Sequence, residues 1–205
     1  MNEIFQCPPD AVAVLVLAHG AGAGMRHRSM QAIADALESR GIGTLRFDFP
    51  FIRDGRKRVD PPHVAIAEIE RAYASAAARA DVPVWLGGHS FGGRMATHAV
   101  AERRVEPRGL ALFSFPLHAA GKPGTDRARH LGDIRRPILF VSGDRDPLAS
   151  RELLEPVVAG LVNAELHWLE TADHGYRVRR RERASGEDVF AELARVTREF
   201  VDRHP

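Results

Sequence analysis

The stretch VPVWLGGHSFGGRMA, residues 82–96, carries one serine between glycines. An apolar run leads into the glycines, and small and apolar residues follow Ser90, so the pattern predicts a strand, a sharp turn and a helix. Residues 88–92 fit G-x-S-x-G, in which small residues relieve the crowding of a strained turn and expose the serine hydroxyl. The competing interpretation is a phosphate-binding loop, but that motif needs a lysine, which this stretch lacks. The stretch therefore predicts Ser90 as a nucleophile.

Length and composition narrow the class of protein. A chain of 205 residues, 44% of them hydrophobic, is long enough to bury one core, and we expect one domain over residues 1–205. The net charge of +2 is too small to predict nucleic-acid binding. The lone cysteine, Cys7, excludes an intramolecular disulfide, and neither a signal-peptide pattern nor a membrane-length apolar run is present. We expect a cytoplasmic protein, monomeric or homodimeric, with no nucleic-acid or membrane partner.

Short apolar runs alternate with amphipathic stretches along the chain. This pattern predicts an α/β fold, with about six parallel strands and helices on both faces of the sheet. The predicted strands cover residues 12–18, 43–49, 83–88, 109–115, 137–143 and 164–170. Helices are predicted over residues 29–41, 61–81 and 187–201, the first with Ser29 as its N-cap and Gly41 at its end.

A nucleophilic serine needs a base and an acid that orients the base. His174 follows the sixth predicted strand, and Asp144 and Asp146 follow the fifth, so the order serine, acid, histidine matches that of α/β-hydrolases. We favour Asp146 because it lies further past its strand, whereas Asp144 has the position of a turn residue. Asp173 is disfavoured, because neighbouring side chains on a chain point apart.

The loop AHGAGAGM, residues 18–25, follows the first predicted strand and is rich in small residues. A tetrahedral intermediate needs two amide donors, and we expect the amides of Ala21 and Phe91 to supply this oxyanion hole. A dinucleotide site is the alternative for this loop, with Asp48 as its ribose-binding acid, but the third glycine of that motif is missing. The residues expected to line the substrate pocket are His19, Gly20, Gly22 and His118; the alternatives are that His19 anchors this loop and that His118 caps a loop of its own.

The arginines and the histidines of the chain are also considered as binding residues. Five arginines fall within residues 177–183, which predicts either a solvated loop or a rim that recruits anions or a partner. The ten histidines show no spacing typical of metal ligands, so we predict no metal and no cofactor.

Several segments together resemble a known family. LAHGAGAGM, GTLRFDFPF, GGHSFGGRMA, FPLHAAGKPG, RARHLGDIRRPILFVSGDRDPL and ADHGYRV are similar to a small, lidless α/β-hydrolase family. It contains bacterial predicted hydrolases related to dienelactone hydrolase and a domain of a subunit of the mammalian NSL acetyltransferase complex. The resemblance implies an α/β-hydrolase fold with Ser90, Asp146 and His174 as catalytic triad. Many relatives are expected to carry lysine and methionine beside the serine, where this chain has His89 and Phe91.

From the candidate residues we predict a cofactor-free serine hydrolase that acts on a small ester, thioester or related acyl substrate, whereas the resemblance leaves the substrate undefined. The alternative is a non-catalytic binding or scaffold protein on the same fold, since fold alone does not establish catalysis. Six strands instead of eight predict that two N-terminal antiparallel strands are missing. The short segment between the fourth and fifth predicted strands leaves no room for a helical lid, so we expect an open site.

Overall fold

The structure, a computed structural model, describes residues 3–205. Its seven strands are β1 (Glu3–Gln6), β2 (Ala13–Ala18), β3 (Ile42–Phe47), β4 (Val84–His89), β5 (Leu110–Phe113), β6 (Ile138–Gly143) and β7 (Ala164–Leu169). Its helices are α1 (Arg28–Glu38), α2 (Pro50–Arg53), α3 (Pro62–Ala77), α4 (Phe91–Ala101), α5 (Arg151–Ala159) and α6 (Val189–Asp202). A 3₁₀ helix spans Asp126–Asp133 between β5 and β6.

The strands form one sheet in the order β1-β3-β2-β4-β5-β6-β7. Strands β2 to β7 are parallel, which confirms the predicted α/β fold with six parallel strands. Strand β1 is an addition, and it pairs antiparallel with β3 from Glu3↔Phe47 to Gln6↔Thr44. The expectation that both N-terminal antiparallel strands are missing is therefore wrong for one of them. All four residues of β1 are partly exposed, so the strand has no buried face that a sequence pattern could reveal.

Apolar side chains alternate between the two faces of the sheet. Val14 and Val16 of β2 contribute to a cluster with α3 and α4, whereas Leu15 and Leu17 contribute to a cluster with α1 and α6. This period of two is the signature of a strand buried on both sides. Helices cover both faces and leave the carboxyl ends of the strands free, and ligands of open α/β sheets bind at this edge.

Local details of the helices differ from the predictions. Helix α1 begins at Arg28, and its N-cap is His27, whose side chain accepts a hydrogen bond from the Ser29 amide, so the predicted cap at Ser29 is wrong. Gly41 lies beyond the end of α1 with a positive φ of 72°, as a glycine after a helix often does. Helices α2 and α5 and the 3₁₀ helix are additions to the predicted set. In the described part of the chain, every helix is too short or too polar to cross a bilayer.

Candidate active site

Ser90 lies in the sharp turn between β4 and α4. Its φ of 52° and ψ of −117° fall outside the favoured regions for a residue with a side chain. Its amide donates to the Phe113 carbonyl of β5 at 2.9 Å, and its carbonyl accepts from the Arg94 amide of α4 at 3.0 Å. The backbone is thus held on both sides of a strained residue, which is typical of functional positions.

The glycines of the G-x-S-x-G pattern are required by close backbone packing. A Cβ atom at Gly88 would lie 2.2 Å from the Ala18 carbonyl oxygen, and one at Gly92 would lie 2.4 Å from the same atom. No side chain fits at such distances. The turn that carries Ser90 is therefore packed directly against the end of β2.

The structure brings Ser90, His174 and Asp146 together. His174 Nε2 lies 2.8 Å from Ser90 Oγ, and His174 Nδ1 lies 2.7 Å from Asp146 Oδ2. The Asp146 side chain is fully buried, and its Oδ1 accepts from the Leu148 amide at 2.8 Å. An anionic acid beside Nδ1 fixes the tautomer with Nδ1–H donating to Asp146, which leaves Nε2 to accept the proton of Ser90. The arrangement is that of a nucleophile, a base and an orienting acid.

The two other acids near His174 have different partners. Asp144 Oδ2 lies 3.8 Å from Arg151, and the Asp144 side chain does not contact His174. Asp173 Oδ1 accepts from the amides of Gly175 and Arg177, both at 2.9 Å. Asp144 thus faces the start of α5 and Asp173 stabilises its own turn, so the geometry favours Asp146 as the orienting acid.

His89 supports the loop of His174 from within the sheet. Its Nε2–H donates to the His174 carbonyl at 2.8 Å, and the two rings lie 5.1 Å apart. Burial, and then the neighbouring His174, lower the pKa of His89 from 6.5 to about 4, so the imidazole is neutral at pH 7. His89 therefore holds the backbone of His174 in place and is unsuited to act as a second base.

Of the two amides expected to form the oxyanion hole, that of Phe91 follows Ser90 in the chain and that of Ala21 belongs to a residue that lines the same cavity as Ser90. Phe91 is the first residue of α4 and has no intrahelical acceptor for its amide. Ala21 lies in the loop after β2 and lines the cavity beside Ser90, and within residues 3–205 its amide makes no hydrogen bond. The loop approaches Ser90 closely at Gly20, where a Cβ atom would lie 3.5 Å from Ser90 Cβ. The partial positive charge at the start of α4 adds to the attraction for a developing oxyanion.

The side chains of His19 and Asp48 tether this loop by hydrogen bonds to backbone groups. His19 is fully buried; its Nδ1–H donates to the Gly20 carbonyl at 2.8 Å, and its Nε2 accepts from the Phe49 amide at 3.0 Å. Burial lowers the pKa of His19, which agrees with the neutral ring that this pattern requires. Asp48 Oδ1 accepts from the Met25 amide at 2.7 Å. Asp48, weighed in the sequence only as a ribose-binding acid, instead anchors the far end of the loop.

A cavity of about 840 Å³ opens beside Ser90 and His174. Gly20 and Gly22 line it as expected, but His19 and His118 do not. His19 packs in the core against Phe49, and His118 is 7% exposed with its Nδ1 2.9 Å from the Ala119 carbonyl oxygen. The wall of the cavity also contains residues that were not predicted from the sequence. They are Met30 of α1, Tyr176 of the segment after His174 and Phe190 of α6. They come from segments far apart in the chain, so no local motif marks them.

Within residues 3–205, no group of three or more histidine, cysteine, aspartate or glutamate residues is arranged to hold a metal ion.

Comparisons with known proteins agree with this architecture. Residues 11–202 match the family model of an alpha/beta hydrolase domain. Est1E from Butyrivibrio proteoclasticus, solved with ferulic acid, is 18% identical, with a TM-score of 0.77 over 99% of this chain and 94% of that one. Dienelactone hydrolase from Anabaena variabilis is 19% identical, with a TM-score of 0.76 over 98% and 91%. A serine hydrolase without a lid from Xanthomonas campestris is 20% identical, with a TM-score of 0.70 over 98% and 88%. At these identities the likeness to solved structures shows the fold alone.

Proposed function

Because the chain belongs to an α/β-hydrolase domain family, we propose that it is a serine hydrolase that cleaves a small ester, thioester or related acyl substrate through an acyl-enzyme on Ser90. The observation that carries the proposal is the continuous hydrogen-bonded chain from Ser90 Oγ through His174 to Asp146, with steps of 2.8 and 2.7 Å. A scaffold protein would have no physical need for a strained serine linked to a buried carboxylate in this way.

In the first half of the reaction, Ser90 Oγ attacks the carbonyl carbon of the substrate and its proton passes to His174 Nε2. The carbonyl oxygen becomes an oxyanion and accepts hydrogen bonds from the amides of Ala21 and Phe91. Asp146 stabilises the imidazolium that forms. When the tetrahedral intermediate collapses, the carbonyl–leaving-group bond breaks and His174 gives its proton to the leaving oxygen or sulfur.

In the second half, water replaces the leaving group. His174 takes one proton from the water, whose oxygen attacks the acyl carbon, and the same amides hold the new oxyanion. The ester bond to Ser90 then breaks, and His174 returns its proton to Ser90 Oγ. The products are a carboxylic acid and the unmodified enzyme. The lone free cysteine, Cys7, fits the reducing cytoplasm in which we propose that the enzyme acts.

A fluorophosphonate probe tests the nucleophile directly. We expect covalent labelling of the wild-type protein and none of Ser90→Ala, with Ser150→Ala as a control serine at the start of α5 that should label normally. A panel of p-nitrophenyl esters of increasing chain length would then show which acyl group is preferred. Wild-type protein that is folded, as judged by circular dichroism, yet neither labels nor hydrolyses any ester would support the scaffold interpretation and reject this proposal.

A further inference from the structure

A second cavity continues the one beside Ser90. It has a volume of about 720 Å³ and is formed by residues 176–190, between the His174 loop and the start of α6. Tyr176, Arg177 and Phe190 line both cavities. Together the cavities form a cleft, here called the extended cleft, which leads from Ser90 to the arginine-rich segment 177–183. A substrate can therefore be much longer than the group that reacts.

Three arginines line the extended cleft without an acidic partner. Arg28 lines the first cavity, Arg180 the second and Arg177 both. Among residues 3–205, none of these three guanidinium groups takes part in a hydrogen bond or an ion pair. In the same segment, Arg179 binds Glu182 at 3.1 Å and Arg183 binds Glu192. Arg181 also lacks such a partner among the described residues, but it is exposed and lines neither cavity.

The acids of the extended cleft are already engaged. Asp173 accepts from two amides of its own turn, as described above. Glu187 Oε2 lies 3.2 Å from Arg195, and Asp188 Oδ1 accepts from the Phe190 and Ala191 amides as the N-cap of α6. These carboxylates have their own partners, which leaves the three arginines available for an anionic ligand.

The chemistry of Ser90 indicates which part of a substrate enters this cleft. His174 must protonate the leaving atom, so the leaving group stays within hydrogen-bond reach of His174 Nε2. Residues 174–177 run directly from this histidine along the wall of the first cavity to Arg177. Beyond Ser90 the wall includes the apolar residues Met30, Leu148 and Phe190. A leaving group therefore crosses an apolar zone before it meets the arginines.

We propose that the substrate's leaving group is an alcohol or thiol that ends in a negatively charged carboxylate or phosphate, which Arg177 and Arg180 bind together with Arg28 of the first cavity. This inference rests on the proposed hydrolase function and adds a substrate class to it. Guanidinium groups form paired hydrogen bonds with both anions, so the two sources share one chemistry.

Two matched substrate pairs test the proposal and distinguish the anions. The carboxylate pair is 4-acetoxy-3-nitrobenzoate and its methyl ester, which differ in the charge of the leaving group. The phosphate pair is butyryl-CoA and S-butyryl-N-acetylcysteamine, which share the reacting thioester and differ in the phosphorylated extension. We expect kcat/KM to be higher for the anionic member of at least one pair. A preference in one pair alone would identify the anion, and no preference in either pair would overturn the proposal.

Single substitutions test which arginines bind the anion. We expect Arg177→Ala and Arg180→Ala each to lower the anionic-to-neutral ratio of kcat/KM by about threefold to tenfold, the range for one charge-assisted contact near a surface. Arg181→Ala is the matched control, since Arg181 belongs to the same segment, is exposed and lines neither cavity. It should leave the ratio unchanged. Equal effects of all three substitutions would show only a diffuse attraction and would contradict a defined site.

A binding measurement separates failure of this proposal from failure of the hydrolase function. Calorimetry on Ser90→Ala with CoA and with 4-hydroxy-3-nitrobenzoate reports binding without any reaction. One outcome is that the anion binds Ser90→Ala, that it binds Ser90→Ala/Arg177→Ala more weakly, and that the wild-type protein does not label with fluorophosphonate. This outcome would keep the anion site and reject the hydrolase. Labelling at Ser90 without anion binding or anion preference would keep the hydrolase and reject the anion site.

Discussion

At the scale of single residues, the position of one carboxylate distinguishes two neighbouring aspartates. Asp146 contacts His174 Nδ1 at 2.7 Å, whereas Asp144 faces Arg151 at 3.8 Å. The sequence favoured Asp146 by its distance from the strand end, and it could not decide further because both residues lie in one loop. The difference arises from the turn of residues 143–149, in which the Asp146 amide donates to the Gly143 carbonyl at 3.1 Å and directs the side chain inward.

The two aspartates should respond very differently to the same substitution. Asp146→Asn removes the charge that stabilises the imidazolium and presents the wrong group to Nδ1, so we expect kcat for an ester to fall about 10³- to 10⁴-fold. Asp144→Asn is the matched control and should change kcat less than about threefold, because the Asp144 carboxylate makes no hydrogen bond to His174 and its ion pair is the 3.8 Å contact with Arg151. Steady-state kinetics on a p-nitrophenyl ester measures both. A larger loss in Asp144→Asn would show that the acid is misassigned.

His89 should act as a positioning residue. His89→Phe removes the donor to the His174 carbonyl, and we expect kcat to fall about tenfold, the effect of a small misplacement of the base. His89→Gln retains a donor and should recover much of the loss. The rate of fluorophosphonate labelling, compared with the melting temperature of each variant, separates placement of His174 from general destabilisation. A loss of activity that follows melting temperature alone in both variants would assign His89 a purely structural role.

At the scale of elements, the turn between β4 and α4 is fixed by its contact with β2. Gly92→Ala would place a Cβ atom 2.4 Å from the Ala18 carbonyl oxygen, so we expect the free energy of unfolding to fall by about 2 kcal/mol or more. Gly22→Ala is the matched control, because nothing lies within 4 Å of a Cβ atom there. Urea unfolding at pH 7.5 measures both variants. Equal stability of Gly92→Ala and the wild-type protein would contradict the close packing of the turn.

The elements also show which structural features a sequence reveals. Strands β2 to β7 are apolar runs bounded by glycine, proline or aspartate, and their own composition predicts them. Strand β1 is visible only through its pairing with β3, and the cap of α1 is a histidine, a residue without the strong N-cap preference of serine. Such features depend on tertiary contacts and are therefore absent from local patterns.

At the scale of the whole molecule, the sheet topology explains why the candidate site could be assembled from sequence while the cleft could not. Ser90, Asp146 and His174 each follow the end of a parallel strand, and parallel strands bring these ends to one edge. The extended cleft combines α1, the segment after His174 and the start of α6. That Arg28 and Arg177 line one cavity depends on how these segments pack, which no motif encodes.

Buried histidines should make the stability of the fold depend on pH. Burial lowers the pKa of His89 to about 4, as described above, and burial together with His98 and Arg94 lowers the pKa of His130 from 6.5 to about 4. Because the unfolded chain takes up these protons first, stability is fully present above pH 6.5 and decreases as the pH falls toward 4. Between pH 7 and pH 5 we expect the free energy of unfolding to fall by about 1 to 2 kcal/mol per histidine.

His130→Gln tests this dependence. Glutamine can still donate to Thr97 Oγ1, which lies 2.8 Å from His130 Nε2, but it takes up no proton. Urea unfolding at pH 7 and pH 5 should therefore show a smaller decrease for His130→Gln than for the wild-type protein. An identical decrease in both proteins would show that His130 does not titrate in this range.

The shared contact of Gly88 and Gly92 with the Ala18 carbonyl has a consequence for redesign of the enzyme. This contact joins the turn that carries Ser90 to the start of the loop at residues 18–25 through a single backbone atom. The turn and the loop therefore move as one unit. The residues that we propose to bind the anion of the substrate lie elsewhere, namely Arg28, Arg177 and Arg180. A combinatorial library confined to those positions would vary selectivity while the reactive unit stays intact.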